Sequence, residues 1–163
     1  MFRNIRKKQQ VLSEAETIEI LNTCTSGVLA VSGDEDYPYA VPLSYAYKDG
    51  KLYFHSAKTG HKLDSILRNE KVSFCVIQMD QVMPETFTTH YRSAIVFGIA
   101  RILTDDSEKK HALECLVEKY SPDFKPQGQK EIVREWNNVS VFEVNIEHMT
   151  GKAASELFEG DDK

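Results

Sequence analysis

Tyr53-Phe-His-Ser-Ala-Lys-Thr-Gly-His-Lys62 runs from a strand into a helix through a polar turn, and the rest of the chain is organised around it. Lys51-Leu-Tyr-Phe-His-Ser56 carries strand-forming aromatics, while Leu63, Ile66 and Leu67 recur at helical spacing. Between them stand Ser56, Lys58, Thr59, Gly60, His61 and Lys62: hydroxyls, cations and a glycine that lets backbone N–H groups approach a ligand. A helix that starts there turns its unpaired N–H groups and positive dipole end toward any bound anion, which suits a phosphorylated cofactor. The turn is not a Walker A loop, since the second glycine and the Gly-Lys-Ser/Thr ending are missing. A polar strand-to-helix loop with no ligand is the competing reading.

Upstream, Asp49-Gly50 is a two-residue hairpin signal that feeds the Lys51–Ser56 strand. Before it, Tyr39, Val41, Leu43, Tyr45 and Tyr47 alternate with small or polar residues along Pro38–Tyr47. Pro42 cannot donate a ladder hydrogen bond, so this run belongs at an edge, a bulge or an opening in the sheet. Gly27–Ser32 reads as a strand closed by Gly33–Asp36, and Ser13-Glu-Ala-Glu16 fits a capping box opening a short helix. Downstream, Lys71–Met79 and Tyr91–Leu103 read as strands, the second with Gly98 marking a bulge or close approach. Asp105-Asp-Ser-Glu108 opens a helix whose apolar face is Ala112, Leu113, Leu116, Val117 and Tyr120, ended by Ser121-Pro122. A short helical piece around Lys130–Trp136 precedes a last strand, Val139–His148. Six strands with hairpin-type connections and two or three outer helices predict a mainly β chain with peripheral α, a small antiparallel barrel. An open antiparallel α+β sheet fits the same pattern. One domain spans residues 1–163, with a core of about 12–152, a frayed basic N-terminal arm and an acidic tail disordered at its end.

The composition, 41% hydrophobic and 28% charged over 163 residues, is that of an ordinary globular chain. A net charge of −5 argues against non-specific nucleic-acid binding, which needs excess basic charge. No window is apolar enough to span a bilayer, and Met1–Lys8 leads into polar residues where a secretory signal would need an apolar stretch. Cys24, Cys75 and Cys115 have neither metal-ligand spacing nor a disulfide-framework count, and Cys75 reads as a small core residue; together these features predict a cytoplasmic protein. His55 and His61 lack the helical spacing of zinc motifs, no Gly-x-Ser-x-Gly marks a nucleophilic serine, and no Gly-x-Gly-x-x-Gly marks a dinucleotide fold.

Several ordered segments resemble the flavin-binding split barrels related to pyridoxamine 5′-phosphate oxidase, and within them the Nim-type 5-nitroimidazole resistance reductases. They are Gly27-Val-Leu-Ala, Tyr37-Pro-Tyr-Ala-Val-Pro-Leu-Ser-Tyr, Tyr53-Phe-His-Ser-Ala with Gly60-His-Lys-Leu, Val72-Ser-Phe, and Tyr91-Arg-Ser with Phe97-Gly98. Glu108-Lys109, Lys119-Tyr-Ser-Pro122 and Thr150-Gly-Lys152 continue the series, so the resemblance covers roughly residues 3–152. It implies a six-stranded antiparallel split β-barrel of the FMN-binding type. It also implies a homodimer with a flavin at the subunit interface, FMN being the usual cofactor and FAD the alternative. Val41, Pro42, Leu43, Ser44 and Tyr45 would run beside the flavin ring and offer backbone groups to its polar edge. His55, Ser56, Lys58, Thr59, His61 and Lys62 would surround the phosphate. Tyr91, Arg92 and Ser93 would lie near the flavin or its ribityl-phosphate chain, with Arg92 as a second phosphate partner. Where the oxidase has a Ser-Arg-Lys triplet this chain has Gly60-His61-Lys62, and the oxidase's C-terminal substrate-phosphate motif is not recognisable. Both departures argue against pyridoxamine phosphate oxidation.

The function this implies is a flavin-dependent reductase acting on a small aromatic electrophile such as a 5-nitroimidazole, with NAD(P)H as a candidate donor. His55 is the candidate catalytic residue, its alternative being a histidine that only hydrogen-bonds backbone or phosphate. Two other functions compete: a flavin-binding redox-sensing module without turnover, and a haem protein with His55 or His90 as axial ligand. His90 otherwise reads as a surface-loop residue, His111 and His148 as structural or exposed, and Trp136 as packing a helix on the sheet.

Overall fold

The computed structural model describes residues 2–158 and contains four α-helices and one seven-stranded antiparallel sheet. In chain order these are α1 (Glu14–Thr23), β1 (Ser26–Ser32), β2 (Pro38–Ser44), β3 (Ala46–Lys48), β4 (Lys51–Ala57) and α2 (His61–Arg68). They are followed by β5 (Lys71–Met83), β6 (Thr88–Ile102), α3 (Asp106–Tyr120), α4 (Lys125–Glu135) and β7 (Val139–Ala153). The strand order is β2-β1-β5-β6-β7-β4-β3.

The sheet has seven strands, where the sequence pattern suggested six, because the Pro38–Tyr47 run breaks at Tyr45. Residues 38–44 pair with β1 at one edge of the sheet, and residues 46–48 pair with β4 at the other. One residue therefore joins the two edges. The sheet must curl until β2 and β4 face each other, and it stays unclosed because no ladder is made between them. Tyr45 is the hinge of that split. Its ring is fully buried among Phe54 and Phe74, with centroids 6.4 and 4.8 Å away.

The core inside the curl comes from alternate residues of each strand, including Leu29, Phe54, Phe74, Val96 and Phe142. Ile20 and Leu21 of α1 and Leu63 and Ile66 of α2 pack into it. A second core lies outside, where α3 and α4 cover Ala46, Tyr53 and Val141 with Ala112, Leu113, Leu116 and Ile132. β7 is thereby buried on both faces over Val141–Val144. Its Glu143 is tolerated there because Lys51 Nζ (3.0 Å) and Arg101 (2.8 Å) neutralise it.

Local signals set the boundaries. Ser13 accepts from Glu16 N while Glu16 accepts from Ser13 N, closing the capping box of α1. Asp105 caps α3 through the N–H groups of Ser107 and Glu108. Asp49 and Gly50 both have positive φ, as a tight twisted hairpin requires. Gly98 sits at a bulge, and a Cβ there would meet Asn145 O at 2.3 Å. Near the N-terminus Phe2 stacks on His148 at 4.8 Å. Two expectations change. Cys75 sits on the outer face, opposite Val28 and Ile95, and is not part of the core. β7 runs on to Ala153, taking Gly151 out of the expected tail, whose last residues, 159–163, lie outside the described part of the chain.

Beyond Ile77 and Ser93, β5 and β6 have outrun β1 and, past Arg92, β7, and continue alone as a two-stranded arm to Met83 and Thr88. At its tip Phe87 is 98% exposed with φ of 53°. No helix among the described residues is long and apolar enough to cross a membrane.

Candidate functional site

The split between β2 and β4 gathers most of the expected site residues. β2 is an edge strand whose outward backbone groups meet no ladder partner. β4 is paired on this side only over Lys51–Tyr53, where β3 lies, so the His55–Ala57 end has a bare edge too. Along β2, Tyr39, Val41 and Leu43 turn toward the core while Ala40, Pro42 and Ser44 are exposed. Pro42 occupies a position where a missing N–H costs least, at a sheet edge.

At one end of the split lies the turn into α2. Gly60 has φ of 141°, reserved for glycine, and a Cβ there would meet nothing, so its role is backbone conformation. It caps α2 with no side-chain hydrogen bond to the helix N–H groups. Lys58 and Thr59 are exposed and Lys62 is half-buried. None of the three has an ion pair or a side-chain hydrogen bond among the described residues. Cations at the positive end of a helix are misplaced unless an anion joins them. His61 turns away from this turn: its ring stacks on Tyr39 at 4.1 Å, and Nε2 lies 3.6 Å from Asp34 Oδ2 with no hydrogen-bond partner among the described residues. It anchors α2 to β2. Asp34, which also bonds Arg68, is held below the usual carboxylate range chiefly by that guanidinium. Ser56 faces inward, its hydroxyl donating to Ala57 O.

At the other end Ser44 and His55 border a cleft of 530 Å³ walled by α3 and α4. His55 is exposed on the outward side of β4, with no side-chain hydrogen bond among the described residues. The cleft walls include Leu113, Leu116 and Ile132, with Phe124 exposed at the margin.

The backbone N–H and C=O of Tyr45 are both engaged within the chain. The N–H donates to Tyr120 Oη at 2.8 Å, and the one proton of that hydroxyl is shared between the carbonyls of Tyr45 and Thr25. Lys119 Nζ lies 3.8 Å over the Tyr45 ring and donates to Leu21 O. Burial lowers the Lys119 ammonium to about 8 and pushes the Tyr45 phenol far up. Tyr120 thus pins the crossing between the two sheet edges to α3. In the sequence Tyr120 is only part of an apolar helix face and of a family segment; a tyrosine closing a helix just before Ser-Pro is the local signal for this role.

Tyr91, Arg92 and Ser93 are not brought to the turn. On β7, Val139 pairs with Ala57 beside the turn and Ala153 pairs with Arg92, roughly 45 Å of strand further on. Arg92 is held by Glu16 and Glu19 of α1 at 3.5 Å each, and the Tyr91 hydroxyl donates to Gln10. The expected role of Arg92 as a second phosphate partner is therefore not met within one chain. His90 lies on the arm, Trp136 packs in the outer core under Lys109 Nζ, and His111 edges against Tyr53. Among the described residues no group of three or more metal-ligating side chains converges.

Residues 13–153 match the family profile described as pyridoxamine 5′-phosphate oxidase. Over 127 residues the chain is 32% identical to an uncharacterized protein of Rhizobium meliloti (strain 1021), a match covering 74% of this chain and 79% of that one. The crystal structure of a candidate 5-nitroimidazole antibiotic resistance protein from Bacteroides thetaiotaomicron is 25% identical, with a TM-score of 0.71 over 88% of this chain and 86% of that one. An FAD-binding protein from Mesorhizobium loti is 27% identical, with a TM-score of 0.66 over 89% and 97% of the two chains.

Proposed function

This chain belongs to the pyridoxamine 5′-phosphate oxidase family, and from that premise we propose that it is a flavin-dependent oxidoreductase that reduces a small aromatic electrophile. The observation that carries the reading is the pair of lysines, Lys58 and Lys62, without ion pairs among the described residues, at the N-terminal end of α2, which no side chain caps, beside two bare strand edges. An anionic phosphate there would satisfy helix N–H groups and both cations together. The bare edge of β2 over Val41–Ser44 would hydrogen-bond the polar rim of a flat ring laid along the split. FMN fits this span. An FAD would need further room for its adenylate beyond Lys58 and Thr59, which the exposure of that loop allows.

A bound flavin supplies the hydride or electron transfer, with NAD(P)H as the proposed donor. His55, exposed beside the cleft and without a competing partner, would hydrogen-bond the substrate and hold a proton for it. Ser44 would fix the ring's orientation from the opposite strand. Val41, Pro42 and Leu43 would keep the flavin plane against the sheet edge and limit water there. The Gly60-His61-Lys62 turn, where the oxidase has Ser-Arg-Lys, favours a nitroimidazole over pyridoxamine phosphate as the substrate.

A homodimer is part of the proposal. α3 and α4 cover one half of the outer sheet face, while β1, β5 and β6 leave Val28, Cys75 and Ile95 in one cross-strand row with Ile77 and Phe97 beside it. A bare apolar row at the centre of a sheet is a surface for another protein. In the proposed dimer Tyr91 and Ser93 of the second copy would approach this copy's flavin, as the family resemblance implies, while Arg92 stays with its own α1 carboxylates. A visible spectrum of the purified protein, with mass spectrometry of the released cofactor, tests the reading. A two-band flavin spectrum is expected; a colourless protein that takes up no added flavin refutes it.

A further inference from the structure

The cleft beside His55 differs in chemistry from the turn that would take the phosphate. Its walls are mainly apolar side chains of α3 and α4, joined by Tyr120, Ser121 and Gln127, and Ser44 and His55 border it from the sheet. A volume of 530 Å³ lies within the range of small-molecule sites, which pair apolar walls with a few placed polar groups. Among the described residues its lining holds no lysine or arginine. Its charged groups are Glu131 and Glu135, which share Arg134 outside the cleft at 2.5 and 3.1 Å and so leave a net negative margin. Gly128 lets α4 sit directly on Val117, where a Cβ would fall 2.5 Å from Cγ1. The cleft is thus shaped by close helix packing and is not a gap left by loose loops.

We propose that this cleft seats the ring of an uncharged or cationic aromatic substrate and excludes anionic ones, the ring lying between α3 and α4 with its polar substituent at His55. The word substrate rests on the flavin reading above; the ring site itself does not. An anion of the same shape would meet two carboxylates and no cation, losing the hydration of its charge without replacement. Phosphorylated vitamers fall into the excluded class. This gives the family's fold a substrate preference opposite to that of an oxidase for a phosphate ester.

The chain's single tryptophan, Trp136, follows α4 between the lining residues Glu135 and Val139, so its fluorescence reports on the cleft. Purified full-length protein is titrated with 4-nitrobenzyl alcohol and, separately, with 4-nitrobenzoate, which keeps the nitro-substituted ring and adds a negative charge. Saturable quenching by the alcohol is expected, with the benzoate at least tenfold weaker. In Glu131→Lys/Glu135→Lys, at one exposed and one half-buried position, the gap should close to threefold or less. Phe124→Ala, which trims the exposed margin, should weaken alcohol binding several-fold. Equal affinity for the two probes, or linear quenching without saturation, would overturn the proposal. Repeating the titration with FMN present separates the two readings. Displacement of the probe by FMN would make the cleft the flavin's own ring seat and overturn the substrate assignment. Saturable probe binding in a protein that takes no flavin would uphold the ring site while removing the oxidoreductase reading.

Discussion

Replacing Tyr120 with phenylalanine removes one oxygen and leaves the ring, and that oxygen holds the split barrel at its seam. In the wild type it accepts from Tyr45 N–H at 2.8 Å, and its single proton is shared between the carbonyls of Tyr45 and Thr25. The variant leaves a partly buried N–H and one carbonyl without their partner. Each such loss costs about 1–3 kcal/mol when water cannot reach the group. Tyr120 is 37% exposed, so water can recover part of the loss, and a total of about 2 kcal/mol is expected. With a urea m-value of about 2 kcal/mol/M, the unfolding midpoint should fall by about 1 M at unchanged m. Flavin retention should fall as well, because Ser44 immediately precedes the released residue. Urea unfolding followed by far-ultraviolet circular dichroism makes the measurement. A midpoint shift under about 0.2 M would refute the reasoning, since it would mean that water replaces the phenol at no cost and the seam is held by packing alone.

Lys62→Ala should weaken flavin retention by about ten- to a hundredfold, one charge-assisted hydrogen bond, with unfolding unchanged; equal cofactor affinity would remove Lys62 from the phosphate site. His55→Ala should lower reductase turnover more than flavin binding, and equal loss of both would make His55 a cofactor anchor. Gly98→Ala should cost about 3 kcal/mol, because the new Cβ meets backbone at Asn145 O and nothing flexible can yield; a melting temperature within 2 °C of wild type would contradict this, being roughly the effect of 1 kcal/mol or less. Lys119 releases its proton near 8 when folded and at an ordinary, higher value when unfolded, so between these values the unfolded chain binds more protons and stability rises with pH. Tyr53, pushed up to about 12 chiefly by burial, works in the opposite sense above its ordinary value near 10, where the unfolded chain ionises first and stability falls. Lys119→Met should flatten the rise expected from pH 8 to 10 in urea midpoints, and a wild-type profile already flat there would contradict the assignment.

Much of the fold was legible in the residues themselves. Period-two alternation, the Asp49-Gly50 hairpin, the Ser13 capping box and the Asp105 cap are local events, decided within a few positions by backbone conformation and short-range hydrogen bonds. Gly60, Lys58 and Lys62 carried the phosphate expectation for the same reason: turn, helix start and unpaired charge are neighbours in sequence. What the tertiary structure alone decided is non-local. Tyr45 alternates like its neighbours, yet the strand breaks there because residues 38–44 and 46–48 pair with strands at opposite edges of the sheet. Arg92 lay in a segment that promised a ligand, but the charges of α1 took it, a contact across 76 positions that no local pattern encodes. The cleft beside His55 likewise exists only because α3 and α4 dock on the outside of β4. Apolar periodicity tells that a helix face will be buried but not against which strand, since hydrophobic burial has magnitude without direction until the chain topology supplies the partner.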